Sequence, residues 1–280
     1  MNRAFKNVDI NHLKVIKNIN KGAKVDLIFC HGLATEPGMH YKIVKELSNV
    51  NHYDLGFPGH IDTDFKFTMK ELNVDYFSKL LAIFIKQNPD LKNIILVGHS
   101  LGCAVIVFAL KHLTKNEKER IKKIVLNAPL TINTLLTALH FTKYFTSDAN
   151  KINDVGIEKF FKDLFYDPKK YLKEFNQWFD LDFYKKHQTE QKKLALTLLN
   201  PDMIRRIISA YHSEKKYENF TFITADKDRL VPFTMIRHYI KNFFKDAKHI
   251  EIKNGGHAFI LEHKDTYIEI LKEIIQNAKS

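Results

Sequence analysis

The chain has 280 residues, 45 % hydrophobic and 27 % charged, the proportions of a globular protein long enough to bury a substantial core. Its formal charge of +12 comes from 44 Lys and Arg against 32 Asp and Glu. The cations are overwhelmingly lysine and are interleaved with acids, as across residues 115–123, so no nucleic-acid partner is expected. No stretch approaches the ~20 apolar residues of a bilayer span, and the first 24 residues lack the apolar core of a secretory leader. Cys30 and Cys103 both sit in apolar runs and fit neither a disulfide framework nor a zinc spacing. A cytoplasmic setting is expected, with at most weak contact to an acidic membrane surface.

Taken in chain order, residues 14–19 and 26–30 read as strands and 52–55 as a short one. Leu72, Tyr76, Leu80, Ile83 and Phe84 give 68–87 a helical period. Residues 93–98 are a strand followed by a helix over 101–113, and 121–126 and 220–225 are again strands. A helix over 233–244, a strand over 249–252 and a helix over 266–277 complete the chain. Strands alternating with helices imply a mainly parallel sheet covered on both faces.

One block breaks that rhythm. From 131 to 216 no segment reads as a strand, and aromatics crowd its middle: Phe160, Phe161, Phe165, Tyr171, Phe175, Trp178, Phe179, Phe183 and Tyr184. The expected organisation is therefore an α/β core of residues 1–130 and 217–280, with a helical insertion of residues 131–216 lying over the sheet. Most of these rings should pack the insertion on itself and on the core, and the excess should line an apolar pocket.

Gly98-His99-Ser100-Leu101-Gly102 joins the strand ending at Val97 to the helix starting at Leu101. Serine at the apex of so sharp a turn is forced into an exposed, strained position, and the flanking glycines avoid collisions across it. A serine hydroxyl is a weak nucleophile, so it needs a base, an acid to orient the base, and donors for the developing oxyanion. His257, behind Gly255-Gly256 and after the last strand, is the candidate base, with His249 and His263 as decoys. Asp228, in Ala225-Asp226-Lys227-Asp228-Arg229, is the candidate acid; Asp226 reads as a turn-former. The backbone N–H of Leu101, at a helix start, is one oxyanion donor. The loop His31-Gly32-Leu33-Ala34 should supply the other from Leu33, with Ala34 next, and His31 should hold the loop. Seven of only 10 glycines (Gly32, Gly56, Gly59, Gly98, Gly102, Gly255, Gly256) fall in these loops or in the turn at 55–60.

With these motifs in the order Ser100, Asp228, His257, together with His31-Gly32 and Phe57-Pro58-Gly59-His60, the chain resembles the α/β-hydrolases over residues 24–280. The resemblance implies a mostly parallel sheet of about eight strands, a helical cap after the sixth, no cofactor and no metal. Cys103 departs from the glycine or alanine common in relatives, and Ile61-Asp62-Thr63 from a glycine and serine. Serine at position 100 argues against the branches that use an aspartate nucleophile. The aromatic, largely uncharged cap favours an apolar acyl chain. The expected activity is hydrolysis of carboxylic esters, either short-to-medium acyl esters or monoacylglycerol-like lipids. An acyltransferase, a C–C hydrolase, a cofactor-free peroxidase, an aminopeptidase and a non-catalytic binding protein are the alternatives. Oligomeric state cannot be read from the sequence.

Overall fold

A computed structural model describes residues 5–145, 159–160, 162–172, 180–213 and 218–278. Seven strands form one sheet: β1 (Lys14–Asn18), β2 (Val25–Cys30), β3 (Val50–Gly56), β4 (Ile94–His99), β5 (Ile121–Asn127), β6 (Phe220–Ala225) and β7 (Lys248–Ile252). Their spatial order is β1-β3-β2-β4-β5-β6-β7. β1 runs antiparallel to β3 and every other pairing is parallel. This is the doubly covered α/β sheet expected, with seven strands among the described residues rather than about eight. Residues 5–13, ahead of β1, hold turns and a short 3-10 turn at Ile10–His12.

The central strands are continuous apolar runs because both faces are covered: every residue of β2, β4 and β6 is buried. The helices in chain order are α1 (Met39–Val44), α2 (Val74–Gln87), α3 (Leu101–Leu110), α4 (Lys115–Glu119), α5 (Thr134–Phe145), α6 (Pro168–Leu172), α7 (Leu181–Thr197), α8 (Pro201–Ser213), α9 (Phe233–Phe243), α10 (Phe259–Glu262) and α11 (Lys264–Asn277). All ten residues of α3 are buried, so this helix is apolar all round. α2 begins at Val74, later than its period suggests. Asn73 caps it by accepting the Tyr76 N–H at 2.9 Å, and Thr68 to Glu71 closes a separate turn. β3 is longer than the expected 52–55 at both ends, where Asn51 and Gly56 blur the pattern, and its His52 and Asp54 are buried in the core.

Among the described residues no strand lies between β5 and β6; the stretch contains α5, α6, α7 and α8. Phe160, Phe165 and Tyr184 are buried, whereas Phe161, Phe175, Trp178 and Phe179 lie outside the described residues. No described helix is long and apolar enough to cross a membrane.

The parallel strands all point one way, so the loops after β2, β4, β6 and β7 gather at one sheet edge. The chain steps from β2 outward to β3, then back across to β4 on the other side. Such a switch point leaves a crevice at the strand ends, the usual ligand position in open α/β sheets.

Candidate active site

Ser100 sits between β4 and α3 with φ 52° and ψ −113°, a conformation costing about 1–3 kcal/mol that the surroundings must impose. They do so through the backbone. The Ser100 N–H donates to Asn127 O at 2.9 Å, while Ser100 O accepts from Cys103 N–H at 3.1 Å and Leu130 N–H at 3.2 Å. Glycine is required on both sides of the serine. A Cβ on Gly102 would lie 1.9 Å from Cys30 O, and one on Gly98 would lie 2.8 Å from Cys103 N. Cys103 fits, fully buried, with its thiol donating to Asn127 O at 3.3 Å.

His257 and Asp228 meet from separate loops. His257 Nδ1 lies 2.8 Å from Asp228 Oδ2, and the other carboxylate oxygen accepts the N–H groups of Leu230 at 2.9 Å and Val231 at 2.8 Å. Those two donors fix the carboxylate plane. The ionised acid then demands Nδ1–H on His257, which leaves a lone pair on Nε2. The competing candidates have other partners. Asp226 accepts Asn254 N–H at 2.7 Å, His249 Nε2 pairs with Thr224 Oγ1 at 2.9 Å, and His263 Nε2 donates to Asn254 O at 3.0 Å.

Two imidazoles staple the loop at 31–34 to the turn at 57–60. His31 Nε2 accepts the Phe57 N–H at 3.2 Å and its Nδ1–H donates to Gly32 O at 2.9 Å. His60 Nε2 accepts the Ala34 N–H at 3.0 Å. Each staple works only as a neutral ring, and burial lowers His31 to about 4 and holds His60 well below the usual histidine range. Ala34 thus has its N–H engaged. Among the described residues the Leu33 and Leu101 N–H groups have no backbone partner. A Cβ on Gly32 would lie 3.0 Å from His99 Nδ1 and 3.3 Å from Ser100 Cβ, so a side chain there would crowd this loop against the serine.

A cavity of about 40 Å³ is lined by Phe29, Leu33, Ala34, His99, Phe141, Phe160, Leu164, Tyr184 and His257 among others. Its walls therefore come both from the sheet edge and from the helical stretch between β5 and β6. Three contacts tie that stretch to the loops below it. Tyr184 Oη donates to Ala34 O. The Glu262 carboxylate accepts Gly256 N–H and, at 2.7 Å, Tyr166 N–H, while Ala258 N–H donates to Leu164 O at 2.9 Å.

The structure therefore brings His257 and Asp228 into direct contact and sets Leu33 and His257 on one cavity. Ser100 lies beneath Gly32 and beside His99, whose Nε2–H donates to His257 O at 3.0 Å. The ring of His257 is hydrogen-bonded to Asp228 rather than to Ser100. Catalytic hydrogen bonds of this kind often tighten only around substrate. Tyr184 lines the cavity as the aromatic block suggested, but its hydroxyl contact, and the parts played by His60, His99 and Glu262, were not foreseen. His60 was visible as the end of the Phe-Pro-Gly-His turn; Glu262 and Tyr184 act through contacts 96 and 150 residues away in the chain, which no local pattern reveals.

A family model described as the alpha/beta hydrolase family matches residues 27–270. A Mycoplasma pneumoniae protein, provisionally named esterase/lipase 3, is 28 % identical over 278 residues, covering 97 % of this chain and 95 % of its own. Among solved structures, an esterase from Exiguobacterium antarcticum aligns with a TM-score of 0.68 at 14 % identity, over 94 % of this chain and 95 % of that one. A bromoperoxidase from Bacillus anthracis aligns with a TM-score of 0.70 at 18 % identity, over 96 % and 98 %. At these identities the solved structures establish the fold alone.

Proposed function

Because this chain belongs to the alpha/beta hydrolase family, we propose that it is a serine hydrolase that cleaves carboxylic esters through an acyl-enzyme on Ser100. The observation that carries the reading is the His257–Asp228 pair: the acid is locked by two backbone N–H groups so that the imidazole offers its Nε2 lone pair. In the proposed reaction His257 takes the Ser100 proton as the hydroxyl attacks the ester carbonyl. The N–H groups of Leu33 and Leu101 receive the oxyanion, the latter at the N-terminus of a helix where the dipole also favours negative charge. His257 then protonates the departing alcohol, and a water activated by the same ring releases the acid. No cofactor or metal is needed for these steps.

Residues 131–216 act as the cap in this reading. Phe29, Phe141, Phe160 and Leu164 make the cavity wall apolar, which supports an uncharged acyl group, and the named relatives include esterase/lipases. A cavity of about 40 Å³ holds only a few water-sized spheres, less than a medium-length acyl chain fills, so such a chain enters only if the cap moves. Short-to-medium acyl esters or monoacylglycerol-like lipids are the proposed substrates, in a cytoplasmic setting.

Ser100→Ala should abolish labelling by a fluorophosphonate probe and turnover of p-nitrophenyl esters, whose graded chain lengths also report the acyl preference. Turnover surviving in that variant would refute the assignment. Transfer to an added alcohol in preference to water would redirect it to an acyltransferase.

A further inference from the structure

A second set of buried polar groups reaches the serine turn from β3, α1, α11 and β5. Asp54 and His52 on β3, His40 on α1, Tyr267 on α11 and Asn127 on β5 are all at most 3 % exposed. His52 Nδ1 faces Asp54 Oδ1 at 3.5 Å, and neither atom has a hydrogen-bond partner. His52 Nε2 lies 2.8 Å from His40 Nδ1, and His40 Nε2 lies 2.9 Å from Tyr267 Oη. Asn127 Nδ2 donates to Tyr267 Oη at 3.2 Å and to Gly98 O at 3.0 Å.

The direction of every proton follows from one end. The Gly98 carbonyl needs a donor, so the NH₂ of Asn127 faces both it and Tyr267. Tyr267, receiving that amide, sends its own proton to His40 Nε2. His40 then carries its proton on Nδ1 and gives it to His52 Nε2. His52 is left with Nδ1–H, aimed at the Asp54 carboxylate. Both rings must be neutral for this order, and burial holds His40 well below the usual range and lowers His52 to about 3.

We propose that Asp54, His52, His40 and Tyr267 form a proton-ordered chain whose task is to position the Ser100 turn through Asn127. Asn127 clasps the serine from both sides: its carbonyl accepts the Ser100 N–H at 2.9 Å, and its amide holds Gly98 O. The inference rests on Ser100 being the nucleophile of the proposed reaction.

The chain has a second state. When it gains a proton, each existing proton moves one step towards Asp54, from His52 to the carboxylate, from His40 to His52 and from Tyr267 to His40. The added proton replaces the one lost from Tyr267 oxygen, and both rings change tautomer. Tyr267 O–H then needs a new acceptor, and Asn127 Oδ1 is a buried oxygen with no partner. Turning the amide to offer that oxygen withdraws the donor from Gly98 O and loosens the turn. Burial raises Asp54 to about 7, opposed by the backbone N–H groups of Tyr41 and Gly38, so the two states exchange in the neutral range. The groups facing Asp54 carry no cation. Cys30 on β2 has its thiol pushed up by burial and by Asp54, Tyr267 faces it from α11, and Ile16 lies opposite on β1. The donors of His40, His52 and Asp54 lie within 4.8 Å of one another, as metal ligands can, but the His40–His52 hydrogen bond occupies the lone pair a metal would take.

The test combines fluorophosphonate labelling of Ser100, followed from about pH 5.5 to about pH 8.5, with ¹⁵N NMR of the histidine rings in the full-length protein. Tyr267→Phe should slow labelling about tenfold, the worth of one net hydrogen bond, without weakening reversible probe binding. Asp54→Asn should remove the step near neutrality. His40 and His52 of the unmodified protein should both read as Nδ1–H tautomers at about pH 8 and change together on acidification. Folded variants that label at the unaltered rate and pH profile would overturn the proposal, as would Nε2–H tautomers at high pH or ring signals that shift on adding zinc alone. An unmodified protein that never labels at Ser100 would refute the proposed function instead, and the ring tautomers would still decide the order of the chain.

Discussion

Replacing Asp228 by Asn separates the chemistry of the acid from its structural work. One oxygen of Asp228 holds the Leu230 and Val231 N–H groups at 2.9 and 2.8 Å, and the other faces His257 Nδ1 at 2.8 Å. An asparagine must keep its carbonyl oxygen on the two backbone donors, because turning its NH₂ towards them would leave three buried donors face to face. Its NH₂ is therefore directed at His257, which must accept on Nδ1 and carry its proton on Nε2. That tautomer cannot take a proton from Ser100. A wrong-tautomer triad loses about 10,000-fold in turnover, which at ~1.36 kcal/mol per decade is about 5.4 kcal/mol of barrier. Stability should change by no more than ~1 kcal/mol, since the buried hydrogen bonds are replaced one for one. Asp228→Ala should in addition lose about 2 kcal/mol of stability, because it strands the two backbone donors. Esterase kinetics and thermal unfolding measured on both variants make the comparison. An Asp228→Asn protein retaining more than about a tenth of the unmodified turnover would refute the tautomer argument.

Gly102→Ala should cost at least ~3 kcal/mol or prevent folding, because its Cβ would lie 1.9 Å from a β2 carbonyl; denaturant melts decide this, with Gly22→Ala, at φ 86° in open space, as a milder control near ~1 kcal/mol. Glu262→Ala should cost about 2 kcal/mol and raise KM more than it lowers kcat, since it unties Tyr166 and Asp167 from the His257 loop, and a thermal melt identical to that of the unmodified protein would argue against the tie. Stability should fall as pH drops from about 6.5 towards about 4, because His31 is lowered to about 4, and His52 and His99 to about 3, so the unfolded chain binds protons the folded one refuses. For His31 alone the full window is worth about 3 kcal/mol at ~1.36 kcal/mol per unit. Asp54, raised to about 7, acts oppositely: its carboxyl is protonated in the fold below that pH, so its contribution is lost as pH rises from about 4 to about 7. With His40 and His60 also held down by burial, the histidines outweigh one carboxyl and set the net sign, and thermal unfolding between those limits that is flat or reversed would contradict it.

All seven strands are visible in the sequence at nearly their true places because each core strand is a short apolar run between turn residues. The misreadings have local causes. Asn73 caps α2 inside a continuous helical period, and polar Asn51 and turn-forming Gly56 hide the two ends of β3, of which 52–55 reads as strand. At the candidate site, Ser100, Asp228 and His257 could be singled out because glycines or a strand end mark each loop. That Asp228 orients His257 was expected from the chemistry of the two groups; the 2.8 Å contact itself spans 29 residues and forms only when β6 and β7 pair.

The α/β alternation, the glycine-flanked serine turn and the order of the loops that could carry acid and base are legible in the chain alone. Those features are written in local terms: apolar period, turn chemistry and the steric need for glycine at Gly98 and Gly102. Three-dimensional packing was needed to show that His60 occupies the Ala34 N–H, that Glu262 ties the helical stretch to the His257 loop, and that a buried polar chain ends at Asn127 beneath the serine. Each is a hydrogen bond between segments remote in the chain, and the direction of such a bond is set by what every other buried donor and acceptor nearby is already doing.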